Sequence, residues 1–107
     1  MSPATPVAAR PVADVFADDT PPGGFAFLED DARILYACPC GCGQMIGLPI
    51  VRAGEPTAGR KGVFWIWDGN RERPSLTPSI RRLDACWFHG FLTAGTWTFC
   101  ADSGQPL

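Results

Sequence analysis

Phe25-Ala26-Phe27-Leu28-Glu29-Asp30-Asp31-Ala32-Arg33-Ile34-Leu35-Tyr36-Ala37 decides the fold class of this chain. Two short apolar bursts flank an acidic cluster, and bursts of that length bounded by turn formers read as strands rather than helices. Working outward, Met45-Ile46-Gly47-Leu48-Pro49-Ile50-Val51 is a third strand, with Pro49 placing it at an edge or a bulge. Val63-Phe64-Trp65-Ile66-Trp67 is a fourth, stopped by the turn formers Asp68-Gly69-Asn70. Trp87 to Leu92 and Thr96 to Cys100 make a hairpin across Thr93-Ala94-Gly95. No window sustains a helical period. The spacing predicts a small all-β domain over residues 25–107.

The 107 residues suffice for one domain. No apolar stretch is long enough to span a bilayer, and the opening residues lack the basic and apolar regions of a secretory signal. A cytoplasmic address is therefore expected, with no membrane partner. In the cytosol cysteines serve more often as metal ligands or nucleophiles than as disulfides. Residues 1–24 read as a Pro/Ala-rich acidic arm, flexible or partner-bound, because five prolines interrupt it. Phe16 is its candidate anchor. Charge is uneven: residues 1–31 carry one base (Arg10) against six acids, and the rest carries eight bases against five acids. Neither half has the clustered basic density of a dedicated nucleic-acid binder.

The chemistry-bearing residues fall in two clusters. Cys38-Pro39-Cys40-Gly41-Cys42-Gly43 follows a predicted strand, and Cys86-Trp87-Phe88-His89 opens the last hairpin. A tetrahedral zinc site takes four soft or borderline ligands, commonly from two chain segments. Glycines in the first turn let closely spaced sulfurs converge. The expected ligands to one structural zinc are Cys38, Cys42, Cys86 and His89, with Cys40 the substitute; Cys100 is read as a small buried residue. Zinc binding would offset a core too thin to be stable on its own, making the expected domain zinc-ribbon-like and stapled by one metal site.

The combination of CPCGCG at 38–43, Pro74-Ser75-Leu76-Thr77-Pro78-Ser79-Ile80 and Cys86-x-x-His89-Gly90-Phe91-Leu92 resembles the uncharacterised bacterial and phage family known as domain of unknown function 6527. The likeness covers roughly residues 33–100. It implies a zinc-binding β fold and a phage or prophage setting, and no established activity. The chain departs from that pattern in its Pro-rich arm and at Gly90, where an aromatic residue is expected.

Residues 60–82 interleave aromatics and arginines, a composition that packs a core or binds a partner. Trp65, Trp67, Arg71, Arg73, Arg81 and Arg82 join Phe16 as partner-binding candidates. Leu76-Thr77-Pro78-Ser79-Ile80 reads as an extended loop, since Pro78 forces Thr77 out of the helical region; its recurrence in the resembled family implies a structural role near the metal turn or a ligand contact. Phosphate-cradling loops, a G-x-S-x-G elbow and the HExxH pattern are absent from the sequence. The sequence therefore points to a non-enzymatic, phage-associated zinc module acting by protein–protein interaction, as a host-factor inhibitor or adaptor or as a virion component. A zinc ribbon binding nucleic acid through residues 60–82 is the second reading, and a zinc-dependent hydrolase the third.

Overall fold

A computed structural model describes residues 5–28, 30–83 and 86–105. Its strands are β1 (Val7–Ala8), β2 (Phe25–Leu28), β3 (Arg33–Ala37), β4 (Met45–Arg52), β5 (Trp65–Trp67), β6 (Leu76–Arg81), β7 (His89–Thr93) and β8 (Thr96–Phe99). They join in one sheet of order β1-β8-β7-β6-β5-β4-β3-β2. The all-β class expected from the sequence holds, with no helix among the described residues. Every neighbouring pair is antiparallel except β4 and β5, whose longer connection permits parallel pairing.

The strands follow from their side chains. β3 alternates, burying Ile34 and Tyr36 while Arg33 and Leu35 stay half-exposed. Pro49 pairs with Arg33 at one end of the β3 ladder, and Ile50, immediately after it, begins the ladder with β5. β4 thus changes partner at its proline. β6 departs from the loop expected of Leu76–Ile80: it is a six-residue strand between β5 and β7. A register shift between Leu76 and Ile80 accommodates Pro78, whose peptide bond with Thr77 is cis.

The sheet curls around a core of aromatics. Tyr36 and Trp97 lie 4.7 Å apart between ring centroids, and Phe88 meets both Trp97 and Phe99 edge-on. The tryptophan indole donates to the Gly23 carbonyl at 2.9 Å, satisfying its one polar atom inside the core. Gly23 has φ of +83°, and a Cβ there would come within 2.7 Å of the same ring. Residues 5–24 lie along this body. Val7–Ala8 pairs with β8, while Pro11 bridges Phe25 of β2. Val12 donates to the Phe25 carbonyl and Phe25 to that of Arg10. The segment 7–12 therefore holds one edge strand, β1, and bridges the other, β2, which draws the sheet around. Val15 is buried as well, whereas Phe16 is 65% exposed.

Candidate active site and metal cluster

Two groups of reactive side chains sit on either side of the start of β7. The first is the turn from β3 to β4. Cys38 donates its amide to the Gln44 carbonyl at 2.8 Å, and Gly41 donates to the Cys38 carbonyl at 3.1 Å. Gly41 and Gly43 have φ of +87° and +85°, and a Cβ at either would meet nothing within 4 Å. Glycine is needed there for backbone conformation alone. The tight turn brings three thiols together, and Cys86 arrives from the segment before β7. The Sγ atoms of Cys38 and Cys40 are 3.3 Å apart, and those of Cys38 and Cys86 are 3.5 Å apart. The sulfurs of Cys38, Cys40, Cys42 and Cys86 all lie within 4.8 Å of one another, so the cluster could hold one metal ion.

Crowding acts on these thiols. Burial pushes Cys38 far above its ordinary value, with the neighbouring thiols of Cys40 and Cys86 adding to the rise and the Cys40 amide opposing it. Cys40 is pushed up to about 11, again chiefly by burial. At Cys42 partial burial also acts upward, but the Gln44 amide and hydrogen bonds from the other three thiols outweigh it and hold the thiol low. Cys38 and Cys40 thus hold their protons against water, and a cation is the partner that would exchange for them.

His89 belongs to the second group. Of the four residues expected to bind zinc, the structure brings together Cys38, Cys42 and Cys86, with Cys40 completing a four-sulfur set, while the His89 ring faces the other way. It opens β7 directly opposite Arg81 of β6. Its Nδ1 lies 2.7 Å from Asp102 Oδ1, and its Nε2 lies 3.3 Å from Ser79 Oγ. A carboxylate only accepts, so Nδ1 carries the proton and Nε2 turns its lone pair toward the serine hydroxyl. This is the arrangement of nucleophile, base and orienting acid used by serine hydrolases. The imidazole hydrogen bond holds the Asp102 carboxyl below its usual range, with Arg81 adding to the effect against slight desolvation.

The sheet and one turn place the three groups. Ser79 stands where the β6 register shifts, and such irregularities re-aim side chains beside active sites. Its carbonyl accepts from the Trp65 indole at 3.3 Å. Asp102 comes from the turn after β8, which is stitched to β7. Cys100 donates to the His89 carbonyl at 2.8 Å, the His89 amide donates to Ser103 Oγ at 3.0 Å, and Gly104 donates to the Trp87 carbonyl at 2.8 Å. Gly90 lets β7 and β8 close up behind the histidine, since a Cβ there would fall 2.1 Å from the Thr98 carbonyl oxygen. Ligand atoms of His89, Cys100 and Asp102 also lie within 4.8 Å of one another. The guanidinium of Arg81, paired with Asp102 and 2.9 Å from Nδ1, already supplies a positive charge at that spot.

The remaining candidates scatter. Trp67 is buried, and its indole donates to the Asn70 carbonyl at 3.0 Å. Trp65 is half-buried against the core. Arg71 pairs with Asp31 and stacks over Phe27, Arg73 is exposed, and Arg82 donates to Gln44 Oε1 at 2.7 Å. Trp65 and Arg81 touch the Ser79–His89–Asp102 group. Sequence reasoning passed over Ser79 and Asp102. The serine lay in a stretch already noticed for its composition, but Asp102 follows the last hairpin with no pattern to mark it.

A family model described as BubE, bacterial ubiquitination-like system serine protease, matches residues 12–100, and the chain belongs to this family. No curated protein and no solved structure matches it. The match corrects three expectations. The family is BubE rather than domain of unknown function 6527. The phage-associated interaction module is not supported, nor is the nucleic-acid-binding alternative better placed. The non-enzymatic reading also falls, since the family is described as a protease. The physical reason is plain: a lone histidine next to cysteines looks like a ligand in sequence, and only strand pairing shows that it faces a serine and a carboxylate.

Proposed function

We propose that this member of the BubE family is a serine protease acting in a bacterial ubiquitination-like system, with Ser79 as nucleophile, His89 as general base and Asp102 as the acid that orients it. The observation carrying this reading is the unbroken line from Ser79 Oγ through both His89 nitrogens to Asp102 Oδ1, at 3.3 and 2.7 Å. Ser79 Oγ attacks the scissile carbonyl carbon as its proton passes to His89 Nε2. Asp102 stabilises the imidazolium that results. The histidine then returns the proton to the departing amine as the C–N bond breaks, leaving an acyl group on Ser79. Water, deprotonated by the same nitrogen, attacks that ester and frees the serine. The 3.3 Å separation is typical of a site that tightens when substrate arrives.

The four-sulfur cluster is read as a zinc site with a structural role. Four thiolates of one turn and one neighbouring segment suit tetrahedral zinc, and a full set of protein ligands leaves no open position for water. A bound ion would tie the β3–β4 turn to the segment that ends at His89, three residues past Cys86. Metal would thus serve catalysis by holding the base in place.

A fluorophosphonate probe tests the assignment without knowledge of the natural substrate. The wild-type chain should gain one phosphonyl group by intact mass, located on Ser79, and S79A should gain none. Labelling of S79A at the wild-type rate would overturn it. Elemental analysis of tag-free protein should find about one zinc per chain in the wild type and in H89A, whereas zinc lost with H89A would return the histidine to the metal site.

A further inference from the structure

In a serine hydrolase the orienting acid is normally buried, and burial keeps its carboxylate in one rotamer. Asp102 is not sheltered in that way: its side chain is 48% exposed, and it sits in a turn rather than a strand. Something else has to hold it. Arg81 is two residues beyond Ser79 on β6, so both side chains project from the same face, and its backbone is the direct partner of His89 across the ladder. Arg81 Nη2 pairs with Asp102 Oδ2, the oxygen that His89 does not use, and stands 2.9 Å from His89 Nδ1. Its own side chain is only 23% exposed.

We infer that Arg81 is the positioning residue of this site, clamping Asp102 from β6 so that the free carboxylate oxygen faces His89 Nδ1. The inference rests on the protease reading of Ser79, His89 and Asp102. Two oxygens of one carboxylate are then divided between two donors, and rotation of Asp102 about its side-chain bonds costs both contacts. The guanidinium is suited to this because its planar fork fixes direction as well as charge, which an ammonium does not. Arg81 touches neither the attacking oxygen nor the nitrogen that takes its proton. It acts by holding Asp102, and its guanidinium also lies against the His89 ring at Nδ1. Among the described residues, the charged and titratable groups around the ring are Asp102 from the turn after β8, Arg81 from β6 and Cys100, which follows β8.

The experiment uses the full chain and two readouts. The first is the limiting rate of phosphonylation: Ser79 Oγ bonds to phosphorus, the P–F bond breaks, fluoride leaves with the electron pair and His89 takes the proton. The second exploits the fact that the sequence holds a single histidine. Its Nδ1 proton, hydrogen-bonded to a carboxylate, gives one low-field NMR resonance that needs no assignment among competitors. R81A should lose about tenfold to a hundredfold in labelling rate, the cost expected of a misplaced catalytic group, together with the low-field resonance. R81K should recover only part of both, because it restores charge without the fork. R81A that keeps the wild-type rate and the resonance would overturn the inference. If R81A does not fold, R81Q, which keeps most of the side-chain stem, is read by the same two criteria. A wild-type chain that fails to label at Ser79 would instead sink the protease reading, a result plainly different from wild type and R81A labelling alike.

Discussion

Cys86 and His89 are three residues apart and face different centres, the thiol completing a four-sulfur cluster and the imidazole lying between Asp102 and Ser79. Phe88 between them is fully buried and packs edge-on against Trp97 and Phe99. Trp87 adopts φ of +54°, a conformation rare for a bulky residue. The short segment is thus pinned at its middle and turned at its second position, which separates two chemistries along a few residues of chain.

Replacement of Asp102 by Asn should separate catalysis from stability. D102N keeps the size of the side chain but favours the wrong imidazole tautomer, and the rate of fluorophosphonate labelling should fall by about 10²- to 10⁴-fold. The melting temperature should barely move near neutral pH, because the side chain is half-exposed. A carboxyl whose folded value is depressed contributes stability above its ordinary value and loses it as pH falls through the folded one. Any small difference in melting temperature between wild type and D102N should therefore vanish in acid below the ordinary carboxylate range. A difference that grows on acidification contradicts the sign.

Loss of one thiol should act through the fold. If the cluster holds the proposed zinc, C86S should abolish its binding, measured by elemental analysis, and should lower the melting temperature by many degrees, since metal binding energies in small sites are of order 10 kcal/mol. Chelation of the wild type should have the same effect. Labelling of Ser79 should decline with it, as His89 loses its anchor. C86S with full metal content would remove Cys86 from the ligand set.

Deletion of residues 1–24 should destabilise the body. Val7–Ala8 pairs with β8, Val15 is buried, and Gly23 supplies the acceptor for the Trp97 indole. A buried indole left without a partner costs about 1–3 kcal/mol before the lost packing is counted. The measurement is a thermal melt followed by tryptophan near-UV circular dichroism. An unchanged midpoint would mean that these contacts carry no weight.

Gly90→Ala should be among the most damaging single substitutions. The new methyl would sit 2.1 Å from the Thr98 carbonyl oxygen and 2.8 Å from the Phe88 ring, and backbone cannot yield as a flexible side chain can. Destabilisation of more than about 4 kcal/mol is expected from such a clash, enough to threaten a small domain. Urea denaturation of G90A against wild type gives the answer. The same crowding explains why the position holds glycine where the resemblance led one to expect an aromatic side chain.

Much of the scaffold could be read without coordinates, and particular residues show why the rest could not. Phe25–Leu28, Arg33–Ala37 and Trp65–Trp67 announce themselves as strands because apolar runs end at acidic or glycine-rich turns. The CPCGCG turn likewise announces converging thiols. Leu76–Arg81 hides because Pro78 and three hydroxyl-bearing neighbours (Ser75, Thr77 and Ser79) suppress the usual strand composition, and its pairing depends on β5 and β7 rather than on its own residues. The partners of His89 are hidden for a related reason. Ser79 and Asp102 stand ten and thirteen residues away in opposite directions, and no local pattern encodes a geometry that arises from one ladder and one turn.

The pairing of Val7 with Trp97 also has a bearing on how the chain comes to be folded during synthesis. The two residues are about ninety positions apart, and contacts of such separation must wait until most loop entropy has been surrendered. On the ribosome, Val7 emerges several seconds before Trp97 at about 5–20 residues per second. Asp102 follows later still. Curling of the sheet and the pairing of His89 with Asp102 therefore both wait until β8 and the turn after it have emerged.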